Sequence, residues 1–183
     1  FDNAYNQYNG NIGAMRWLSS GAGDIKRNYG FGYDAANRLM KADFTQDNNT
    51  TDPVNFSMVM GDGADPTSAY DANGNILKMK QWGLKLSGSA EIDELKYTYQ
   101  KNGLSNKLKN VVDLKNDVNT ILGDFRTAAG HPQTASKNTY ISTGVGDLQA
   151  ITDYTYDVNG NLAEDRNKNI SSITYNHLNL PWE

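Results

Sequence analysis

Alternation of apolar or aromatic residues with polar ones is the main pattern along this chain. It is clearest in ITDYTYD (151–157), where Tyr154 and Tyr156 fall on one face of an extended backbone. Successive side chains of a β-strand point to opposite faces, so this alternation predicts a half-buried strand. Three further segments share the pattern and are predicted as strands: RNYGFGYD (27–34), ELKYTYQ (94–100) and ISSITYN (170–176).

A short turn sequence recurs next to these strands. Its three strong copies begin with Tyr-Asp and end with Leu or Ile: YDAANRL (33–39), YDANGNI (70–76) and YDVNGNL (156–162). A two-residue Asn-Gly turn would place Tyr156 and Leu162 on opposite faces, whereas a three-residue loop places them directly across from each other. Asn37 stands where the other copies have Gly, and asparagine tolerates the left-handed backbone of that loop.

We therefore predict a three-residue loop in each strong copy. In this loop the aspartate occupies the first turn position, where its carboxylate can accept backbone N–H groups. The aspartates concerned are Asp34, Asp71 and Asp157. Weaker copies of the turn are NQYNGNI (6–12), YQKNGL (99–104) and YNHLNLP (175–181).

Composition supports a fold with many strands and turns. The chain has 11 tyrosines, which suit a pleated surface, and 17 glycines, which suit tight turns. We predict an all-β fold of antiparallel hairpins, with residues 45–69 and 126–147 as long polar connections. Residues 108–125 allow two interpretations: NKLKNVV as the return strand of the preceding turn, or a short helix within 114–122, because apolar residues recur there at helical spacing.

Charge and residue usage exclude several classes of protein. The net charge is −4 and the charges are scattered, so no basic face is present for nucleic acid or an anionic membrane. No apolar run approaches the roughly 20 residues that a membrane-spanning helix needs. Cysteine is absent, which removes disulfides and thiolate metal sites. Because the chain starts at Phe1 and stops just after a turn, we expect a fragment of a larger protein.

Candidate chemistry gives no convincing catalytic set. The only two histidines are His131, in the loop AAGHPQ, and His177, in a weaker copy of the repeated turn. We expect both to be turn or surface residues. No nucleophile elbow, HExxH motif or phosphate-binding loop accompanies them. Four carboxylates crowd one hairpin and could serve as a glycosidase pair, but the turn already explains the second of them: Asp153, Asp157, Glu164 and Asp165.

A few segments resemble metal or sugar sites but also fit turn and packing roles. DRNKN (165–169) and DANGN (71–75) resemble calcium loops, but the position of the bidentate glutamate holds Asn176 in the first case. We therefore predict no catalytic, cofactor-binding or metal-ligating residue. Three tryptophans could each serve as a carbohydrate platform, although packing over a sheet is the commoner role: Trp17, Trp82 and Trp182.

The ordered repeats resemble a known family. QYNGNIGAMRW, YGFGYDAANRL, YDANGNI, YTYQ…NKL and YTYDVNGNL…NKNISSITYNHLNLP are together similar to the YD-repeat, or Rhs-repeat, region of large Rhs proteins from Bacteroidetes-type bacteria. The resemblance implies that residues 1–183 are one YD-repeat region, with hairpins arrayed in a curved sheet or partial barrel. The chain departs from the family pattern in its long insertions, in a degenerate copy at 97–108 and in a first copy that lacks the leading tyrosine.

The resemblance also carries expectations about function. Rhs and toxin-complex proteins of this family enclose a toxic polypeptide in a shell, and teneurins form a barrel at the cell surface. We therefore expect a structural shell segment of a secreted or cell-surface protein, with no cofactor and no enzyme activity. Its expected partners are flanking repeats, a downstream self-cleaving core and a C-terminal effector of the same polypeptide. Self-association through strand edges is a further expectation, and an extracellular carbohydrate- or host-binding module is the alternative function.

Overall fold

The computed structural model describes residues 5–18, 24–47, 54–85, 88–115 and 123–182, and most of its regular structure is antiparallel β-sheet. The strands are β1 (Ala14–Leu18), β2 (Lys26–Tyr33), β3 (Leu39–Gln46), β4 (Met58–Met60), β5 (Lys78–Lys85), β6 (Gly88–Tyr99), β7 (Leu108–Asp113), β8 (Tyr154–Tyr156) and β9 (Leu162–Asp165). The α-helices in these ranges are α1 (Pro66–Ala69) and α2 (Thr134–Thr143). The all-β prediction is confirmed.

Strands β1 to β7 form one sheet in chain order, so each strand lies beside the next one along the chain. The pairs β1/β2, β2/β3, β3/β4, β4/β5 and β6/β7 are antiparallel. Strands β8 and β9 form a second, two-stranded antiparallel sheet. This order is a series of hairpins, as the repeated turns predict.

The chain divides into two compact units. The first comprises residues 1–94 and 115–124, and the second comprises residues 95–114 and 125–183. Strand β6 contributes its first residues to one unit and its last residues to the other.

In the first unit, β3 buries every second side chain along most of its length, as its sequence pattern requires. Its residues Met40, Ala42 and Phe44 are buried. A small apolar core combines β3 with the neighbouring elements: Met40, Met60, Ala69 and Tyr70 are buried there, with Ile76 and Met79 packed against them. Farther along the sheet, Tyr29 contacts the rings of Trp17, Phe31 and Phe44 at centroid distances of 5.3 to 5.8 Å. Phe44 in turn contacts Phe56 at 5.3 Å.

The second unit has a core of mixed character. Val111 and Val112 of β7 are buried together with Ile151. The polar side chains buried in the same unit are Thr98, Asn110, Asp113, His131, Lys137, Asp153 and Asn167. Polar groups removed from water cost free energy unless they find hydrogen-bond partners, so such a core depends on its internal bonds.

The prediction that residues 45–69 and 126–147 are long polar connections is wrong in part. The first segment contains β4 and α1, and α1 begins with Asp65 as its N-cap and Pro66 in its first turn. The second contains α2, which ends at Gly144 with a φ of 68°. Lys137 is the buried residue of α2. No apolar stripe therefore marks this helix in the sequence.

Of the two interpretations of residues 108–125, the return strand is confirmed. Leu108–Asp113 forms β7 and pairs with the end of β6, with Tyr97 opposite Val111. The helix predicted within 114–122 falls almost entirely on residues 116–122, which lie outside the described residues.

Candidate functional site

The repeated turns have the predicted geometry. Tyr156 lies opposite Leu162, the N–H of Asp157 donates to the carbonyl of Asn161 at 2.9 Å, and Gly160 has a φ of 90°. The two other strong copies show the same pairing, Tyr33 with Leu39 and Tyr70 with Ile76. The three-residue loop is therefore confirmed in all three copies.

Each turn aspartate uses both carboxylate oxygens within its own turn. In Asp157, Oδ1 accepts the backbone N–H of Asn161 at 2.8 Å and Oδ2 accepts its side-chain amide at 3.0 Å. The side-chain bond from Asn161 is the largest influence, and with the backbone bonds it lowers the pKa of Asp157. Asp34 and Asp71 make the corresponding bonds to the residue four positions on. The aspartates are turn residues, as predicted.

In four of the turns the leading tyrosine reaches back to the turn before it. Tyr156 Oη donates at 2.9 Å to the carbonyl oxygen of Leu108, the residue that closes the preceding turn. Three further tyrosines donate to the closing residue of the preceding turn in the same way: Tyr33 to Ile12 at 3.0 Å, Tyr70 to Leu39 at 2.5 Å and Tyr175 to Leu162 at 2.8 Å. We call these four bonds the tyrosine ladder. Each of them joins two hairpins of the same unit.

Asparagine adds a second link wherever it replaces glycine in the left-handed position. Asn37 has a φ of 62°, and its Oδ1 accepts hydrogen bonds from Asn9 at 2.6 Å and Asn11 at 3.1 Å in the preceding turn. The last turn repeats this arrangement: Asn179, with a φ of 57°, accepts from Asn159 and Asn161. The substitution that weakens the Asn-Gly signature thus provides a contact between turns.

A buried polar cluster in the second unit is the most concentrated chemistry among the described residues. Lys137, on α2, is 2% exposed. Its ammonium group has four acceptors within reach: Asn167 Oδ1 at 2.7 Å, Asp153 Oδ2 at 2.8 Å, the Val111 carbonyl at 3.0 Å and Thr127 Oγ1 at 3.2 Å. Burial lowers the pKa of Lys137, and the bond to Asp153 opposes this shift.

Asp153 lies at the centre of the cluster and is fully buried. Its Oδ2 accepts from Lys137 at 2.8 Å, from the Val111 N–H at 2.8 Å and from Asn167 Nδ2 at 2.7 Å, while Oδ1 lies 3.0 Å from Nε2 of His131. Four donors around one carboxylate satisfy its ionised form.

The tautomer of His131 follows from its two contacts. The backbone N–H of Gln133 donates to Nδ1 at 3.0 Å, so the proton of the neutral ring is on Nε2, where it is donated to Asp153. Burial and then the charge of Lys137 lower the pKa of His131, and the charge of Asp153 opposes them.

The two histidines of the chain lie in different environments. His177 is exposed in the last turn, as expected. His131 lies in a turn, with its N–H bonded to the carbonyl of Ala128 at 3.0 Å, but it is 4% exposed, so the expectation of a surface position is wrong. Its loop packs inward because its ring bonds to Asp153, which lies 22 residues later in the chain.

The four carboxylates of the C-terminal hairpin do not form a pair. Asp153 is committed to the buried cluster and Asp157 to its turn. Glu164 forms an ion pair with Arg166 at 3.1 Å, and Asp165 accepts the N–H of Lys168 at 3.2 Å. The carboxylates that start the two calcium-like loops, Asp165 and Asp71, are thus both occupied by backbone N–H groups.

The tryptophans lie in three different environments. Trp17 packs against Tyr29 and Phe44. Trp82 is half-buried and lines an open groove of about 470 Å³ together with Lys78 and Lys80. Trp182 is 73% exposed. Packing over the sheet, the commoner role, is what the structure shows for Trp17.

Two members of the buried cluster, Lys137 and Asn167, were missed by sequence reasoning. Lys137 lies in the polar segment TASKNTYIST, and Asn167 lies in DRNKN, whose sequence resembles a calcium loop. Neither segment carries a pattern that marks a buried group. Their proximity arises only from the fold, because they are 30 residues apart in the chain.

Comparison with protein families, with curated proteins and with solved structures found no match for this chain. None of the helices in the described residues is long and apolar enough to cross a membrane.

Proposed function

We propose that this chain is a structural segment of a wall of hairpins and that it performs no turnover chemistry on a substrate. The observation that carries the proposal is the tyrosine ladder, because it is a contact between neighbouring repeats. Each of its four tyrosines donates to the closing carbonyl of the turn before it. A protein whose repeated residues serve to join one repeat to the next is organised for extension.

The ladder gives two hairpins, those closed by Leu39 and by Leu162, one contact backwards and one forwards. Leu162, for example, pairs with Tyr156 inside its own turn, and its carbonyl accepts from Tyr175 of the following turn. Repeat proteins built from such nearest-neighbour contacts gain stability with each added unit. The last turn, closed by the bridge between Tyr175 and Pro181, therefore offers the carbonyl of Pro181 to a further repeat.

The wall is best understood as part of a secreted or cell-surface protein of the YD-repeat kind. The resemblance of the ordered turns to that family supports this assignment. In such a protein the wall encloses a polypeptide or mediates cell contact, and its partners are the neighbouring repeats and the effector of the same chain. The turn bonds are made by the aspartates and the ladder bonds by the tyrosines, the two residue types (Y and D) after which the YD repeat is named.

One observation favours a second candidate, a carbohydrate-binding role. The groove beside Trp82 combines an aromatic ring with Asp62, Ser68 and two lysines, and an apolar surface with a few polar groups is what a ligand site requires. A glycan array tests this role. Glycan binding that is lost in Trp82→Ala would support the second candidate. An array without hits would contradict it and leave the structural role as the remaining candidate.

Adding one repeat tests the structural proposal. A second copy of residues 163–181 placed directly after Pro181 puts the new tyrosine 19 positions after Tyr175, the same spacing that separates Tyr156 from Tyr175. We expect the urea midpoint of the second unit to rise. The matched control is the same extension with its added tyrosine changed to Phe, which should gain less. The proposal would be contradicted if the urea midpoint stayed unchanged and a protease removed the added copy as it removes a flexible tail.

A further inference from the structure

The buried cluster brings an amine, an amide and a carboxylate into mutual contact. Lys137 Nζ lies 2.7 Å from Asn167 Oδ1, so the amide carbon is one carbonyl bond beyond that oxygen. Asp153 Oδ2 lies 2.8 Å from the lysine nitrogen and 2.7 Å from the amide nitrogen of Asn167. One carboxylate oxygen therefore touches both the group that can attack and the group that can leave.

We propose that Lys137 and Asn167 join in the folded chain through a side-chain isopeptide bond, with Asp153 as the proton carrier and ammonia as the leaving group. The bond is an amide between Nζ of Lys137 and Cγ of Asn167. It links α2 to the short turn that follows β9. This proposal does not depend on the proposed wall function, because it concerns one unit of the chain and its own side chains.

The reaction balances without any added reagent. The ammonium of Lys137 gives a proton to Asp153, and the neutral amine attacks Cγ of Asn167 while the carbonyl electron pair moves to Oδ1. Asp153 passes its proton to the amide nitrogen, the C–N bond breaks, and ammonia leaves as the carbonyl re-forms. Asp153 then takes the surplus proton from the new amide nitrogen and yields it to ammonia. The net change is ammonium plus carboxamide to isopeptide plus ammonium ion.

The surroundings favour each step. Burial lowers the pKa of Lys137, which makes its neutral, nucleophilic form more accessible. The hydroxyl of Thr127 donates to Asn167 Oδ1 at 3.0 Å, where negative charge develops during the attack. His131 occupies the other oxygen of Asp153, so Oδ2 alone faces both nitrogens. Reacting groups held in such contact need no diffusion to meet.

The amide orientation distinguishes this cluster from a simple buried ion pair. A paired lysine and aspartate require no third group, yet Asn167 turns its oxygen toward the donors Lys137 and Thr127 and its nitrogen toward Asp153. The chain also has no cysteine, so it has no disulfide with which to fasten this unit. A covalent link between residues 137 and 167 would fasten it and constrain the unfolded chain as a disulfide does.

Mass spectrometry of the intact, denatured 183-residue chain tests the proposal. We expect the folded protein, incubated at neutral pH, to weigh less than its sequence mass by one molecule of ammonia. Tryptic digestion should give a branched peptide that contains both Lys137 and Asn167. A chain at its full sequence mass would overturn the proposal, and so would the loss of one molecule of water, because that loss joins lysine to a carboxylate.

Variants assign the roles of the three residues. Lys137→Arg and Asp153→Asn should both retain the full mass expected from their sequences. The matched control is Lys96→Arg, which removes another lysine of the same unit that is hydrogen-bonded to Tyr140. It should still show the loss of ammonia. A mass deficit that persists in Lys137→Arg would overturn the proposal, and the result on the unaltered chain decides the matter even if a variant fails to fold.

Discussion

Tyr175 Oη donates a hydrogen bond of 2.8 Å to the carbonyl oxygen of Leu162, the residue that closes the preceding turn. The tyrosine is therefore doubly used: it pairs across its own hairpin with Pro181 and reaches back to the neighbouring hairpin. Three other tyrosines do the same in their turns. The leading tyrosine contributes both to its own turn and to the turn before it. This double role explains why the repeated turn sequence begins with tyrosine.

Asparagine in the left-handed position should stabilise its neighbour turn. Asn37→Gly keeps the backbone conformation but removes the oxygen that accepts from Asn9 and Asn11. Because these bonds are exposed, we expect a loss of roughly 0.5–1 kcal/mol in the free energy of unfolding, measured with urea. Asn37→Asp retains the oxygen and serves as the control. Equal stability of Asn37→Gly and the unaltered chain would show that the link between turns contributes nothing.

Gly74 is required for its backbone conformation and not for space. Gly74 has a φ of 84° and no atom within 4 Å of an added Cβ. Gly74→Ala should therefore cost on the order of 1 kcal/mol, since only the left-handed conformation resists the side chain. Gly74→Asn should cost less, as the natural occupant Asn37 illustrates. Thermal unfolding of both variants compares them, and identical losses would be inconsistent with the three-residue loop.

His131 should make the stability of the second unit fall in mild acid. Its ordinary pKa is 6.5 in the unfolded chain, and burial lowers it in the folded chain. At pH values between the folded and the unfolded pKa of His131, the unfolded chain binds more protons than the folded chain. Stability is therefore complete above about pH 6.5 and is lost as the pH falls toward the folded pKa, by at most about 1.4 kcal/mol per pH unit. Protonation would also set an N–H of the ring against the Gln133 N–H.

Urea unfolding between about pH 7.5 and 5 measures this loss before the turn aspartates, whose pKa values are lowered, begin to take up protons. His131→Gln should flatten the dependence of stability on pH in this range, whatever its effect at neutral pH. His177→Gln, which changes an exposed histidine, should leave the dependence as it is. If the stability of His131→Gln still fell with pH in this range, the acid sensitivity would lie in another group. The charged groups that act on the His131 ring are Lys137, Asp153 and Arg166.

The turns could be predicted from sequence because everything that defines them is local. The pairing of Tyr156 with Leu162, the left-handed Gly160 and the bonds of Asp157 all lie within seven consecutive residues. The strands that flank the three strong copies follow the alternation of side chains between two faces. The strand predicted for residues 170–176 is wrong, because Ile170 and Tyr175 form only isolated bridges there. The face on which Leu162 lies relative to Tyr156 also distinguishes a three-residue loop from a two-residue one.

The buried cluster could not be predicted, because its members come from distant parts of the chain. Lys137 bonds to residues 16, 26 and 30 positions away. Helix α2 shows no apolar stripe, since the side chain that it buries is this lysine, and polar segments normally indicate connections. The ladder was missed for a related reason: a tyrosine that pairs within its turn gives no sign of where its hydroxyl points.

Removing one oxygen atom at a time from the ladder tests the account most directly. Tyr33→Phe, Tyr70→Phe, Tyr156→Phe and Tyr175→Phe keep the ring and delete only the hydroxyl that reaches the preceding turn. Tyr8→Phe is the control, because Tyr8 is 92% exposed. Urea unfolding should show a loss of about 0.5–1.5 kcal/mol for each ladder variant and almost none for the control. Ladder variants as stable as Tyr8→Phe would contradict the claim that these bonds join one hairpin to the next.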